Sequence, residues 1–195
     1  SEILILADES ADPAWIAADM LSQAEHDPLA GALCITTSAK LGKKVVAALE
    51  EQLPKLSRHE LARKSLENWG AVILVDSEQA GIDLANALAP EHLELAVAEP
   101  FALLGRIRNA GAIFLGHHCP EAVGDYFAGP NHVLPTLRTA RFSSALSVQS
   151  FIKKSSIIAA SGAYVAAHGE KIARLARLEG LEAHARSVEC RLPKK

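Results

Sequence analysis

Ser1-Glu2-Ile3-Leu4-Ile5-Leu6-Ala7-Asp8 decides the fold. Its apolar residues, Ile3 to Ala7, follow one another without alternation. A strand of that kind is buried on both faces, as strands of helix-covered parallel sheets are. Asp12-Pro13 comes next, an N-cap residue followed by proline at the first helical position. A helix is predicted from there through about Glu25. Ser1 opens straight into the strand with no Met and no polar lead-in, which reads as the cut edge of a fragment.

The same unit repeats along the chain. Ala32–Thr36 is the next strand, and Ser38 caps a helix to about Gln52 with Leu41, Val45, Val46 and Leu49 on one face. A further helix is predicted over Arg58–Glu67. Then come a strand at Ala71–Val75, a helix at Ser77–Leu88, a strand at Leu93–Val97, a helix at Pro100–Asn109 and a strand at Ala112–Leu115. The segment from Gly124 to Pro135 reads as a loop, punctuated by Gly129-Pro130. Beyond it, Phe151–Ala159 reads as extended or briefly helical, Gly162–Leu178 as a helix and Leu181–Val188 as a short final segment. The fold class is α/β: a mostly parallel sheet with helices on both faces, plus a small C-terminal helical module. The boundary is placed at 140, giving residues 1–140 and 141–195. In such sheets ligands sit beyond the C-terminal ends of the strands. Glu91-His92, just before a strand, is the exception among the candidate residues.

Composition narrows the function classes. The chain has 195 residues, 49% hydrophobic, with Lys+Arg 20 against Asp+Glu 23 and a net charge of -3. No basic block suggests nucleic acid. No apolar run is long enough to span a bilayer. Cys34, Cys119 and Cys190 are odd in number and widely spaced, which argues against a disulfide framework and for a reducing cytoplasm. There is no G-x-G-x-x-G after a strand, no P-loop and no G-x-S-x-G elbow.

Several clusters could carry chemistry, and each also has a plain structural reading. Gln23 and His26 are three apart and share a helical face, so they can reach one cation; equally, they are solvent-facing helix-end residues. Glu91-His92 is a compact acid/base pair or an exposed turn. Asp125 and His132 are donors of the kind borderline divalent metals accept, or turn residues capping backbone groups. Glu179 and His184 lie in a charged stretch that reads as a helix end or as part of a site. His59, His117, His118 and His168 lack matching partners.

Taken together the motifs resemble the histidinol dehydrogenase family. They are Ser1-Glu2-Ile3-Leu4, Asp19-Met20-Leu21-Ser22-Gln23-Ala24-Glu25-His26, Pro90-Glu91-His92-Leu93, Gly124-Asp125-Tyr126, Gly129-Pro130-Asn131-His132-Val133-Leu134-Pro135 and Glu179-Gly180-Leu181-Glu182-Ala183-His184. The likeness covers essentially the whole chain. It implies oxidation of L-histidinol to L-histidine through histidinaldehyde with two NAD molecules, the last step of histidine biosynthesis. It also implies that the sheet is an incomplete Rossmann-like domain. Gln23, His26, Asp125 and His184 match zinc ligands. Ser1, His132 and Glu179 match substrate contacts, together with the zinc ligands and the acid/base pair Glu91 and His92. The family is a homodimer whose tail supplies the last ligand to the other subunit.

Two departures stand out. The family's N-terminal half, which supplies most NAD contacts, is absent here, so weak or no activity is expected of the isolated chain. Leu137-Arg138 stands where the family pattern has smaller residues such as Ser-Gly. The alternative reading is a non-catalytic domain that binds zinc or a small imidazole ligand, or a structural half of a split protein.

Overall fold

The computed structural model describes residues 1–193. Contacts divide the chain into two compact units, Ser1–Phe151 and Ile152–Lys195. The first holds five strands: β1 (Glu2–Ala7), β2 (Gly31–Thr36), β3 (Gly70–Leu74), β4 (His92–Ala96) and β5 (Ala112–Leu115). Every pairing is parallel, and the order is β3-β2-β1-β4-β5. Helices α1 (Pro13–Ala24), α2 (Ala39–Gln52), α3 (His59–Trp69), α4 (Glu78–Leu88) and α5 (Pro100–Leu104) make the crossovers.

The unalternating strands are explained by helices on both faces. Ile3, Ile5 and Ala7 pack with Ile16 and Met20 of α1 and with Leu41 and Val45 of α2. Leu4 and Leu6 point the other way, into Ile82 and Ala85 of α4 and Leu103 of α5. Asp12 caps α1 by accepting the Ala14 N–H at 2.7 Å, and Pro13 fixes its first turn. Register puts His92 beside Ile3 and Glu94 beside Ile5, so both β4 residues lie on the α1 face. An apolar layer therefore turns polar at β4.

Three expectations need correction. The helix predicted over Pro100–Asn109 stops at Leu104. Buried Asn86 accepts the N–H groups of Arg108 and Asn109 at 2.6 and 3.3 Å, which draws that backbone out of helical form. The segment read as a loop from Gly124 begins inside a helix, α6 (Glu121–Tyr126). The stretch Phe151–Ala159 has no regular structure beyond the end of a 3-10 turn at Val148–Phe151.

The second unit is a helical hairpin, α7 (Gly162–Leu178) and α8 (Glu182–Glu189). Gly180, at φ 76, turns the chain between them. Arg177 spans the pair, meeting Glu182 at 3.0 Å and Glu189 at 2.6 Å.

Candidate active site

The site lies at the N-terminal edge of the sheet. Each βα crossover returns antiparallel to its strand, so α1 delivers its C-terminal end to that edge. Helix α4 ends at Ala89, whose φ of 51 closes the last turn, and Pro90 prevents continuation. The backbone of Pro90 and Glu91 is then held by N–H groups of Gly111 and Ala112 at 2.9 and 2.8 Å. That leaves the Glu91 side chain free to reach β1. Its Oε2 accepts the Ser1 hydroxyl at 2.7 Å and the Glu2 N–H at 3.1 Å.

His92 is 2% exposed. Its Nδ1 lies 3.1 Å from the Glu2 carbonyl oxygen. A carbonyl only accepts, so Nδ1 carries the proton and Nε2 offers a lone pair in the neutral ring. That Nε2 is buried with no hydrogen-bond partner. Glu121 Oε1 and Asp125 Oδ1 face it at 3.7 and 3.8 Å. The two acids are four apart on α6 and so share one face. The helix is held in place from β4, because Glu94 Oε1 accepts the Glu121 N–H at 2.8 Å. On the same side, Gly124 lies against the Phe114 ring, with no room for a Cβ.

The electrostatics are those of an acidic cluster. Burial, then the nearby Asp125 and Glu91 charges, push Glu121 up to about 8. Burial, then the Asp19 charge, push Glu94 up to about 9. Burial pushes Asp19 up to about 6. A basic nitrogen and two carboxylates converging without donors call for a shared proton or a cation. The donor atoms of His92, Glu121 and Asp125 lie within 4.8 Å of one another. Gln23, near the end of α1, is fully buried, and both its amide oxygen and nitrogen lack partners. This nitrogen and oxygen donor set suits a borderline divalent ion.

The other expected site residues are distributed as follows. His26 lies just past α1, its N–H on the Gln23 carbonyl at 3.2 Å, its side chain exposed. His132 is exposed and lines, with Asp125, Asn131 and Phe114, a cavity of about 180 Å³. Glu179 and His184 belong to the second unit, exposed at the end of α7 and on α8. Glu121 and Glu94 were not expected. Glu121 sits four residues before Asp125, a spacing that becomes a signal once the segment is known to be helical. Glu94 reads as the polar half of an alternating strand, and nothing in its neighbours marks it as buried.

The opposite, C-terminal edge has a different character. Its β1–α1 loop carries Asp8, Glu9 and Asp12. Asp8 already accepts N–H groups of Ser10 and Ala98, each at 2.9 Å, and the Ser10 hydroxyl. That crevice does not fit a pyrophosphate, which needs free N–H donors and no negative charge.

The family model described as histidinol dehydrogenase matches residues 1–192. A histidinol dehydrogenase of Oleidesulfovibrio alaskensis is 64% identical over 189 residues, 97% of this chain and 44% of that protein. One from Geobacillus kaustophilus is 57% identical over 194 residues, 100% of this chain and 46% of that protein. The crystal structure of histidinol dehydrogenase from Elizabethkingia anophelis superposes with a TM-score of 0.88 at 37% identity. It is matched over 98% of this chain and 44% of its own. The chain thus spans about half the length of the relatives it matches. With likeness in sequence running almost end to end, and likeness in backbone just as complete, this chain belongs to the histidinol dehydrogenase family.

Proposed function

We propose that these residues form the catalytic C-terminal portion of a zinc-dependent, NAD-linked enzyme that oxidises L-histidinol to L-histidine through histidinaldehyde. The observation that carries this reading is the unpartnered Nε2 of His92 between two acids at the sheet edge, beside Glu91. Gln23, His26 and Asp125 would hold the zinc, with His184 from the tail of a partner subunit. The bound ion would orient and polarise the amino alcohol. His92 Nε2 accepts the hydroxyl proton of the alcohol, with Nδ1 anchored on the Glu2 carbonyl so that the ring does not turn. Glu91, anchored on Ser1 and Glu2, takes a proton from the water that attacks the aldehyde. Asp125 and His132 flank the cavity that would receive the imidazole-bearing substrate. Ser1 and Glu179 complete the substrate contacts in this reading.

NAD is the hydride acceptor in this reading, and its contacts are assigned to sequence beyond these residues. The acidic β1–α1 loop supports that assignment. For the tail, residues 141–195, we propose docking on a second subunit. Only Gly169, Ala173 and Ala185 are buried in its helices, while Leu175 and Leu178 are 64% and 76% exposed. That leaves an apolar surface for a partner to cover. A cytoplasmic enzyme accords with three free cysteines. Among the described residues no helix is long and apolar enough to cross a membrane.

The test is reconstitution. The chain is mixed with the N-terminal half of a full-length relative, zinc and L-histidinol, and NADH formation is followed. Activity that appears on mixing and is lost in His92→Asn supports the reading. Tight zinc binding without any NADH would favour a non-catalytic binding domain instead.

A further inference from the structure

Gly124 lies inside α6, yet its backbone does not require glycine, since it is not among the residues with positive φ. Its missing side chain has another cause. A Cβ at this position would come within 2.6 Å of Cε1 and 3.0 Å of Cζ of Phe114. Phe114 belongs to β5 and is 6% exposed. Ala112 of β5 pairs with His92 of β4, and Phe114 pairs with Glu94. Phe114 therefore shares a face with His92 and stands diagonal to it, within reach of an aromatic side chain. The two ring centroids are 6.0 Å apart, with the planes tilted by 42°. One buried ring thus meets both the His92 imidazole and the backbone of α6.

The place of contact gives it meaning. Glu121, Gly124 and Asp125 recur at the i, i+3, i+4 spacing of one helical face. That face carries the two acids to 3.7 and 3.8 Å from His92 Nε2. Hydrogen bonds hold the two sides of this gap: His92 Nδ1 on the Glu2 carbonyl, and the Glu121 N–H on Glu94. Neither bond fixes the far end of α6. There the helix rests on the Phe114 ring, at the residue next to Asp125. Interiors are close-packed, so a methyl on Gly124 must lift α6 or drive the ring toward His92. Either movement changes the gap.

We propose that Phe114 is a positioning residue: a spacer, in contact with the His92 ring and with α6 at Gly124, whose thickness sets the distance from His92 Nε2 to Glu121 and Asp125. The proposal rests on the zinc reading for its effect on metal affinity, and on packing alone for the spacer itself. It assigns no chemical step to Phe114. Groups that orient ligands from behind change metal affinity by roughly 10- to 100-fold when removed.

A double-mutant cycle in the 195-residue chain tests the spacer. Gly124→Ala thickens the contact. Phe114→Leu thins it by removing the outer ring atoms. In the double variant the alanine methyl takes the space those atoms leave. Zinc affinity is read by competition with a chromophoric chelator, and metal-free stability by urea midpoints at equal slope. Each single variant should bind zinc about tenfold or more weakly, and the double variant should return to within about threefold of wild type. Its urea midpoint should stay below wild type, with a loss smaller than the sum of the two single losses. Zinc affinity regained in a chain that remains less stable separates positioning from a purely structural role. Wild-type zinc affinity in Gly124→Ala overturns the spacer, because the ring would then yield into the neighbouring cavity. So does a double variant that binds zinc no better than Gly124→Ala, and so do additive losses of midpoint. Should Gly124→Ala not fold, a folded double variant is the same coupling in stronger form, and an unfolded one overturns the proposal. If the wild-type chain holds no zinc, the zinc reading fails, and the urea cycle decides the spacer by itself.

Discussion

The His92 imidazole donates from Nδ1 to the carbonyl oxygen of Glu2 at 3.1 Å, and this one bond selects the tautomer. It joins the first residue of β4 to the first residue of β1. In the neutral ring Nε2 then carries the lone pair, facing Glu121 and Asp125. A base in that state needs no prior proton loss. In the reconstituted enzyme, His92→Asn is expected to lower kcat by roughly 10² to 10⁴, the usual contribution of general base catalysis. The KM for histidinol should change far less. Steady-state NADH assays read both, and a loss confined to KM would move His92 from catalysis to binding.

Gln23 offers a second test, independent of turnover. Its amide is fully buried without partners, an arrangement that is unfavourable unless something coordinates it. Gln23→Met has nearly the same length and volume and removes the stranded polar atoms. The metal-free chain should gain about 1–3 kcal/mol by urea denaturation, the usual cost of an unsatisfied buried group. Zinc affinity should fall by about tenfold or more. Lower stability together with unchanged zinc affinity would mean that the amide has a structural partner instead.

Much of this fold was legible because strand burial on both faces leaves a plain signature. Ile3–Ala7 and Ala112–Leu115 read as strands without ambiguity. The edges of the site were harder. Gly124 breaks the helical signal of α6, yet it is there because Phe114 leaves no space for a side chain. A packing requirement thus looked like a loop. Asp125 was legible as a chemical residue, but Glu121 became visible only when the helix put both acids on one face. Glu94 could not be foreseen, since alternation around Leu93 and Leu95 suggested a solvated side and α6 covers it. The local order Glu91-His92 was readable; its placement at the N-terminal edge goes against the general rule for such sheets and follows from helices carrying their ligands back to that edge.

The acidic cluster makes stability depend on pH in a definite sense. Glu94 and Glu121 titrate in the folded chain at about 9 and about 8, above the ordinary carboxyl value of 4.5. Between those values the folded chain holds protons that the unfolded chain has released. Stability is then fully present below about 4.5 and declines as pH rises toward 8 and 9. Each group contributes at most about 1.4 kcal/mol per pH unit within that window. The metal-free chain should melt at a lower temperature at pH 8.5 than at pH 6, and Glu94→Gln should flatten the slope. A melting temperature that rises between those two pH values would show that the cluster is not protonated in the folded state.

Leu137 and Arg138 supply the last test, away from the chemistry. Both adopt positive φ, 51 and 66, the region that disfavours any side chain with a Cβ. Arg138 also donates to the Ala87 carbonyl at 3.1 Å at the end of α4, where Arg141 donates as well. Replacing Arg138 changes two things at once, so the useful comparison is between two truncations. Arg138→Ala and Arg138→Gly lose the same guanidinium and differ in backbone freedom. The left-handed penalty for alanine is about 1–2 kcal/mol, against about 0.5–1 kcal/mol of extra unfolded-state freedom for glycine. Glycine should therefore be the more stable by up to about 1.5 kcal/mol. Urea midpoints at equal slope measure the difference. Equal midpoints would mean that the turn relaxes out of the left-handed region once the arginine no longer holds α4.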